Sequence, residues 1–138
     1  MRRSIRVAVL VVVLFTLLGP PALGGPAEAP RVHLTLPVAA KILGGGTGAK
    51  IQIRGICTAG AEVLEAFVTI DQDGFTSQMG AIPLVCDGAS HRWRVPIRAG
   101  DQPFHPGLAT ASGYALVLDP GSGETAEDSP FVVVNLVG

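Results

Sequence analysis

Residues 50–57 read KIQIRGIC, and their alternation sets the fold class. Ile51, Ile53 and Cys57 fall on one side of an extended chain, whereas Gln52 and Arg54 fall on the other. A period of two residues is typical of a half-buried β-strand, because successive side chains of a strand point to opposite faces. The stretch therefore predicts a strand with an apolar inner face that ends in a cysteine.

Residues 90–98 read SHRWRVPIR and repeat this pattern further along the chain. Trp93 and Val95 fall on the apolar face together with Ile97, and Arg92 and Arg94 fall on the polar face. Two such strands indicate a shared core between apolar faces. The residues predicted to form the structural core are Ile51, Ile53, Trp93 and Val95.

Five further segments have the composition of strands, and turn signals such as Asp73-Gly74 separate them about every ten residues. No segment shows a helical period, and residues 119–130 are predicted to form an acidic loop. The pattern favours an all-β fold, an antiparallel immunoglobulin-like β-sandwich of about seven strands, with a small barrel as the alternative. The five further strand segments are residues 31–37, 63–70, 75–86 (broken at Gly80 and Pro83), 108–118 and 131–137.

The first 24 residues have the three parts of a secretory signal peptide. Three arginines precede an uncharged apolar run at residues 7–18, and Ala22-Leu23-Gly24 supplies small residues for cleavage. A membrane anchor is the alternative, but twelve apolar residues are too few to span a bilayer, which takes about 20. We therefore expect a signal peptide over residues 1–24, a flexible lead-in over 25–30 and a single β-sandwich domain over 31–138. The expected location is extracellular, with no membrane span after cleavage.

The charge balance argues against nucleic acid and anionic membranes as partners. Loss of the three N-terminal arginines leaves seven basic against eleven acidic residues, a net charge of about −4. Arg92, Arg94 and Arg98 cluster on one predicted strand. They are interpreted as a solvent-exposed face, with an anion site as the alternative.

Cys57 and Cys86 are the only two cysteines of the chain. An even count in a secreted chain predicts a disulfide. A metal pair or a redox pair has no support, because there is no C-x-x-C motif and two thiolates do not complete a zinc site.

Catalytic and cofactor motifs are incomplete. Residues 44–50 read GGGTGAK, but the lysine is followed by Ile51 instead of Ser or Thr, and the loop leads into a strand, so a phosphate-binding loop is excluded. The Asp71-x-Asp73-Gly74 stretch has too few oxygen ligands for a calcium loop. The chain has no G-x-S-x-G motif. His33, His91 and His105 lack metal-ligand spacing, and His91 is expected to face solvent. We therefore expect no enzyme activity, no catalytic residues, no cofactor and no metal.

Residues 86–93, CDGASHRW, are similar to a family of small secreted actinobacterial proteins with an uncharacterised immunoglobulin-like domain. The family pattern is a Cys, then Cys-Asp-Gly, then His-x-Trp. The resemblance extends upstream to Gly55-Ile56-Cys57 and downstream to Pro106-Gly107-Leu108-Ala109. The resemblance covers most of residues 31–137 and rests on about a dozen positions. It implies a secreted β domain with a disulfide, and it implies no activity.

Two functions fit these expectations. A non-catalytic module that binds an extracellular protein or an envelope component is favoured by residues 131–137, FVVVNLV, whose apolar side chains fall on both strand faces. The alternative is a small-ligand carrier that resembles the actinomycete apoproteins of enediyne chromophores. A cleft lined by Phe67, Phe75, Phe104 or Tyr114 would favour the carrier.

The leader assignment predicts a mature protein that begins near Gly25 and has no free thiol. Intact mass, N-terminal sequencing and thiol titration of protein from a secreting host check both expectations. Retention of Met1 on the exported protein contradicts the signal peptide, and two titratable thiols without reductant contradict the disulfide.

Overall fold

The computed structural model describes residues 29–138. The predicted signal peptide at 1–24 and the lead-in residues 25–28 lie outside the described residues. Pro30, the last lead-in residue, is buried. The backbone N–H of Arg31 donates to Thr58 Oγ1 at 2.7 Å. Over the described part of the chain, no helix has the length and apolar character that crossing a membrane requires.

Ten β-strands and one short 3-10 turn at Gly44–Gly46 make up the regular structure of residues 29–138, which confirms the all-β prediction. The strands are β1 (Val32–Thr35), β2 (Ala39–Leu43), β3 (Gly48–Cys57), β4 (Glu62–Gln72), β5 (Phe75–Thr76), β6 (Gly80–Ala81), β7 (Ser90–Arg98), β8 (Gly107–Leu118), β9 (Thr125–Asp128) and β10 (Phe131–Val137).

The strands form one mixed sheet in the order β1-β3-β2-β10-β8-β4-β5, with β6 on β4, β7 on β3 and β9 on β8. Every pair is antiparallel except β2 with β10. The prediction of a wholly antiparallel arrangement is therefore wrong at this pair. The direction of β2 is fixed by its tight turn into β3, and that of β10 by its antiparallel pairing with β8.

The strand count exceeds the predicted seven by three, because two strands lie outside the predicted strand segments and one predicted strand is divided in two. β2 lies between the first predicted strand and the glycine run, and β9 lies inside the predicted acidic loop. The predicted strand at 75–86 is divided into two short strands, β5 and β6. Ser77 interrupts it, since its N–H donates to the carbonyl of Ile70 and its Oγ accepts the N–H of Ile70, each at 2.8 Å.

The glycine run at 44–46 turns the chain from β2 into β3. All three glycines have positive φ angles, 57°, 68° and 104°, which L-residues rarely adopt. No helix follows the turn, so no helix N-terminus faces this loop.

Strand β3 pairs with three neighbours, β1, β2 and β7. Ile51 and Ile53 are fully buried, and Val95, opposite Ile51, is 1% exposed. Trp93, opposite Ile53, faces the same way but is only partly buried, and it packs against the edge of the core. The tryptophan thus closes the core at one end and does not fill its centre.

The side chain of Leu34 in β1 lies close to glycines of two other strands, β3 and β8. A Cβ at Gly55 would lie 2.8 Å from Trp93 Cζ3 and 3.2 Å from Leu34 Cδ2. A Cβ at Gly113 of β8 would lie 3.4 Å from Leu34 Cδ1. The side chain of Leu34 therefore lies between the inner faces of β3 and β8.

The predicted disulfide is confirmed. Cys57 and Cys86 are bonded, with their Cα atoms 4.4 Å apart and a sequence separation of 29. Two backbone hydrogen bonds flank the bridge, Gly88 N–H to Cys57 O at 2.9 Å and Gly60 N–H to Cys86 O at 3.2 Å. Closing a loop of this length stabilises the fold by about 3.6 kcal/mol in the chain-entropy account.

The register of β3 predicts opposite outcomes at two adjacent positions. Ile53→Ala should lower the free energy of unfolding by about 2–5 kcal/mol, because it opens a cavity at a fully buried site. Gln52→Ala, the matched control on the exposed face, should change it by less than about 0.5 kcal/mol. Urea unfolding under non-reducing conditions measures both. A larger loss at Gln52 than at Ile53 would contradict the register.

Candidate functional site

Charged residues are segregated by strand. Every charged strand residue of β2, β3 and β7, histidine apart, is a lysine or arginine, and every one of β4 and β9 is an aspartate or glutamate. The cations are Lys41, Lys50, Arg54, Arg92, Arg94 and Arg98, and all six are exposed. The strand anions are Glu62, Glu65, Asp71, Glu127 and Asp128.

The cations lie on the outward side of adjacent strands, so they form one surface. The register sets Lys41 opposite Lys50 and Arg54 opposite Arg92. Like charges directly opposite each other in a sheet are destabilising, because their Cβ atoms are only about 4.5–5.5 Å apart. The surface therefore carries an electrostatic cost that neutral side chains would avoid.

No carboxylate compensates these charges within residues 29–138. The ion pairs found there, with a limit of 4.0 Å, all join a histidine to an aspartate, and none includes a lysine or arginine. The cationic side chains therefore present their charge to solvent.

Two adjoining depressions run along this surface. One has a volume of about 300 Å³ and includes Lys41, Lys50 and Arg94; the other has a volume of about 340 Å³ and includes Arg54 and Arg92. Gln52 lines both depressions, so they form one continuous feature. We call it the basic groove, which is defined by Lys41, Lys50, Gln52, Arg54, Arg92 and Arg94. From Lys50 to Arg54 it extends about 14 Å along β3.

The side chains of the groove can bind anions and little else. Guanidinium groups donate two parallel hydrogen bonds to carboxylate or phosphate oxygens, and lysines add point charge. No aromatic side chain projects outward from β2, β3 or β7, since Trp93 faces the core. The groove thus offers charge and hydrogen bonds without a stacking surface.

Sequence reasoning found half of this surface. Arg92, Arg94 and Arg98 were interpreted as an exposed face, and the structure places all three on the outward side of β7. It missed the cations of β2 and β3 that lie beside them. The outward residues of the two alternating strands were the available signal, but the sequence does not show that these strands are neighbours.

A second groove lies beside the disulfide. It has a volume of about 530 Å³ and an apolar floor that includes Val32, Ile56 and Cys57, with Arg31 and Glu127 among its charged lining residues. None of the aromatic residues named for a carrier cleft lines it. Those aromatics are dispersed: Phe75 and Phe104 line a pocket of about 210 Å³. The rings of Phe67 and Tyr114 pair with each other at 5.5 Å.

The three histidines are not brought together, and each binds a different aspartate. His33 Nδ1 lies 3.3 Å from Asp128 Oδ2, and His91 Nε2 lies 2.8 Å from Asp87 Oδ2. Over residues 29–138, no group of three metal-ligating side chains is placed to hold an ion. His91 faces solvent only in part, because 34% of its side chain is exposed while its ring stacks on Trp93 with the ring centroids 5.9 Å apart. The N–H of Ala89, and next the ring of His91, hydrogen-bond the Asp87 carboxylate and lower its pKa.

The third pair, His105 with Asp73, fastens the β7–β8 loop to the β4–β5 turn. His105 Nε2 lies 2.6 Å from Asp73 Oδ2, and its Nδ1 lies 3.1 Å from the carbonyl oxygen of Pro106. Buried Gln72 reinforces the link, because its amide bonds both the N–H and the carbonyl of His105 at 3.1 and 2.8 Å. Both ring nitrogens of His105 face acceptors, so only the protonated imidazolium donates to both. The Asp73 carboxylate, and next the Pro106 carbonyl, therefore raise the pKa of His105.

A scan against models of known protein families finds no match to this chain, and a search of curated proteins finds none either. The resemblance to the secreted actinobacterial family therefore stays a prediction.

The His105–Asp73 pair predicts a pH dependence of stability with a definite sign. Because the folded pKa of His105 is raised above its ordinary 6.5, the pair contributes fully below that value and loses its contribution as pH rises through the folded pKa. Asp73→Asn removes the charge partner and keeps a residue that tolerates the positive φ of 55° at this turn.

Urea midpoints measured between about pH 5 and pH 9 check this expectation. The stability difference between wild type and Asp73→Asn should be largest in the acidic half of the range and should shrink toward alkaline pH. A difference that stays constant across the range would show that His105 does not titrate against Asp73.

Proposed function

We propose that this chain is a secreted, non-catalytic β-sandwich domain that binds an anionic polymer of the cell envelope through the basic groove. The observation that carries the proposal is the set of like-charged residues held opposite one another without a carboxylate in range. A surface that only needs to stay in water would be more stable with mixed charges. An anionic ligand supplies the missing counter-charge.

A two-layer, immunoglobulin-like arrangement is the proposed form of the sheet. Its support is that inward residues of β3 and β7 share one core with those of β4, β8 and β10. Leu34 between Gly55 and Gly113 has the contacts of a side chain packed between two layers. Strand β2, which pairs with β3 and then with β10, would be the link between the layers.

Export is proposed from two independent features. The N-terminal 24 residues have the pattern of a signal peptide, and the disulfide belongs to an oxidising compartment. An envelope partner fits an exported domain, and so does the resemblance to secreted actinobacterial proteins.

An extended polymer fits the groove better than a small anion does. Its five cationic side chains are spread over about 14 Å of an open surface, so a single phosphate or carboxylate could engage only some of them. A linear polymer with phosphodiester or carboxylate groups at regular intervals could engage both depressions at once. Nucleic acid fits less well because the face has no outward aromatic side chain on which bases could stack.

The overall negative charge does not oppose this proposal. The carboxylates of the strands lie on β4 and β9, whereas the groove lies on β2, β3 and β7. Exposed charges farther apart than about 8 Å are largely screened at physiological salt. The local charge therefore governs binding.

The carrier function is the second candidate, and the groove beside the disulfide favours it. Its volume of about 530 Å³ falls within the usual range for small-molecule sites. Binding of an apolar dye in this groove would support the carrier function if a bulky substitution at Val32 abolishes that binding.

Long-chain inorganic polyphosphate is a minimal probe of the basic groove. The mature protein should bind it with an affinity that falls steeply with salt, because binding releases condensed counterions. Arg54→Gln/Arg92→Gln should weaken binding by about tenfold or more and reduce the salt slope by about two. Arg31→Gln, which removes a cation outside the groove, is the matched control and should have a much smaller effect. Titration calorimetry at several salt concentrations measures these values.

Binding to isolated cell walls and to poly-glutamate distinguishes phosphodiester groups from carboxylate groups as the natural counter-charge. Isolated cell walls stripped of phosphodiester polymer should lose binding if such a polymer is the natural ligand. Retained binding to stripped walls or strong binding to poly-glutamate would point to carboxylate groups. Equal losses for the double variant and Arg31→Gln would sink the groove as the site.

A further inference from the structure

The chain bulges away from β3 at the middle of the basic groove. β1 pairs with β3 as far as Arg54, and β2 resumes the pairing at Lys50. Between these two points lie residues 36–40 on one side of the ladder and only residues 51–53 of β3 on the other. The surplus leaves Gln52 without a strand partner on this side.

The backbone of Gln52 is open to the groove. The N–H of Thr58 donates to the carbonyl oxygen of Arg31 at 2.9 Å. In an antiparallel ladder the N–H and C=O groups of successive residues point to alternate edges, so the even-numbered residues of β3 direct theirs toward β1 and β2. Gln52 is one of them, and no backbone hydrogen bond within the described chain joins it to residues 36–38. The middle of the groove therefore offers a donor and an acceptor in addition to the side-chain amide.

Every row of residues across the groove holds a cation. Neighbouring rows are two residues apart, about 6.8 Å along β3. The register aligns three rows, Lys41 with Lys50, Gln52 with Arg94, and Arg54 with Arg92. A polymer that follows the groove can therefore place one anion on each row if its own charges repeat at the same interval.

The two sides of the groove differ in chemistry. Arg92 and Arg94 of β7 form one side, and the other side is mostly apolar because Leu36, Pro37 and Ala39 line it. Short carbon segments of a ligand can pack against this apolar side while its anions face the arginines.

We propose that the ligand of the basic groove is a polyol phosphodiester whose phosphates are joined through three-carbon spacers that carry a hydroxyl group. This inference rests on the proposed function. One repeat of such a chain has six backbone bonds (P–O, O–C, C–C, C–C, C–O and O–P), the same number as two residues of a polypeptide. Both chains advance by roughly 7 Å per repeat when extended, so successive phosphates fall on successive rows. A spacer hydroxyl both donates and accepts, as the exposed groups of Gln52 do.

Other polyanions lack one of these properties. Polyphosphate has two bonds per phosphate and no carbon or hydroxyl group. An extended poly-glutamate turns every second carboxylate away from the groove. Five-carbon spacers lengthen the repeat to eight bonds, so their phosphates fall out of step with the rows. Single-stranded nucleic acid has the six-bond repeat, but its bases find no aromatic side chain on which to stack.

The test uses synthetic phosphodiester oligomers with defined spacers, titrated into the mature, disulfide-bonded protein in a calorimeter. With glycerol spacers, the affinity should rise by more than about tenfold from one phosphate to three. With three phosphates, pentanediol spacers should bind about tenfold more weakly than propanediol spacers, which keep the six-bond repeat of glycerol. The propanediol trimer should in turn bind a few-fold more weakly than the glycerol trimer, because it lacks the hydroxyl group.

Equal affinities of the pentanediol and propanediol trimers would overturn the six-bond match, and equal affinities of the propanediol and glycerol trimers would overturn the hydroxyl contact. Tighter binding of poly-glutamate or single-stranded DNA with the same number of charges would assign the groove to another polymer. Tighter binding of phosphatidylglycerol vesicles, whose phosphodiesters are not linked in a row, would assign it to a lipid surface.

Failure of this inference is distinguishable from failure of the groove itself. The groove remains the anion site if Arg54→Gln/Arg92→Gln weakens binding of every oligomer and Arg31→Gln, the matched control outside the groove, does not. Oligomer binding that the double variant leaves unchanged would sink the groove and the polyol phosphodiester together. Circular dichroism and thermal melts establish that the variants are folded.

Discussion

The register of β3 is the constraint on which the rest of the structure depends. This strand pairs on its flanks with β1, β2 and β7, and its side chains alternate without a break between core and solvent. A slip of one residue would bury Lys50 and Arg54 and expose Ile51 and Ile53. Burial of unpaired charges costs far more than a shifted ladder could recover. The alternation that builds the core therefore also creates the basic groove.

Strands whose apolar residues alternate clearly were predictable from sequence, and strands that depend on their neighbours were not. β3 and β7 carry the period-two pattern and were placed within one or two residues. β2 reads AAKIL and β9 reads TAED, and neither alternates. β2 is a strand because it pairs with β3 and β10. β9 pairs with β8, and the Asp128 carboxylate accepts the N–H of Leu34 at 2.7 Å.

The candidate site was hidden for a related reason. The net charge is a sum over the chain, so opposite charges on different strands cancel in it. A slightly negative total therefore does not show that six cations lie on one surface and five anions on other strands. The outward positions of β3 and β7 could be read from the alternation, but their adjacency could not, because 32 residues lie between the two strands. The same limit applies to the exposed apolar side chains of Leu108, Phe131 and Val133, which come from β8 and β10.

The disulfide and the basic groove are linked by their position in the sheet. Cys57 is the last residue of β3, and Cys86 lies in the loop that leads into β7. These two strands carry five of the six cations, and Arg54 and Arg92 face each other across their ladder. Repulsion between the cations of β3 and those of β7 favours separation of the two strands. The disulfide joins Cys57, at the end of β3, to the loop that enters β7. The bridge stabilises the whole fold by about 3.6 kcal/mol in the chain-entropy account, and this gain offsets the electrostatic cost of the cationic surface. In the proposed function the cysteines and the arginines act together, because the covalent link offsets the cost of a cationic surface that an anionic ligand would neutralise.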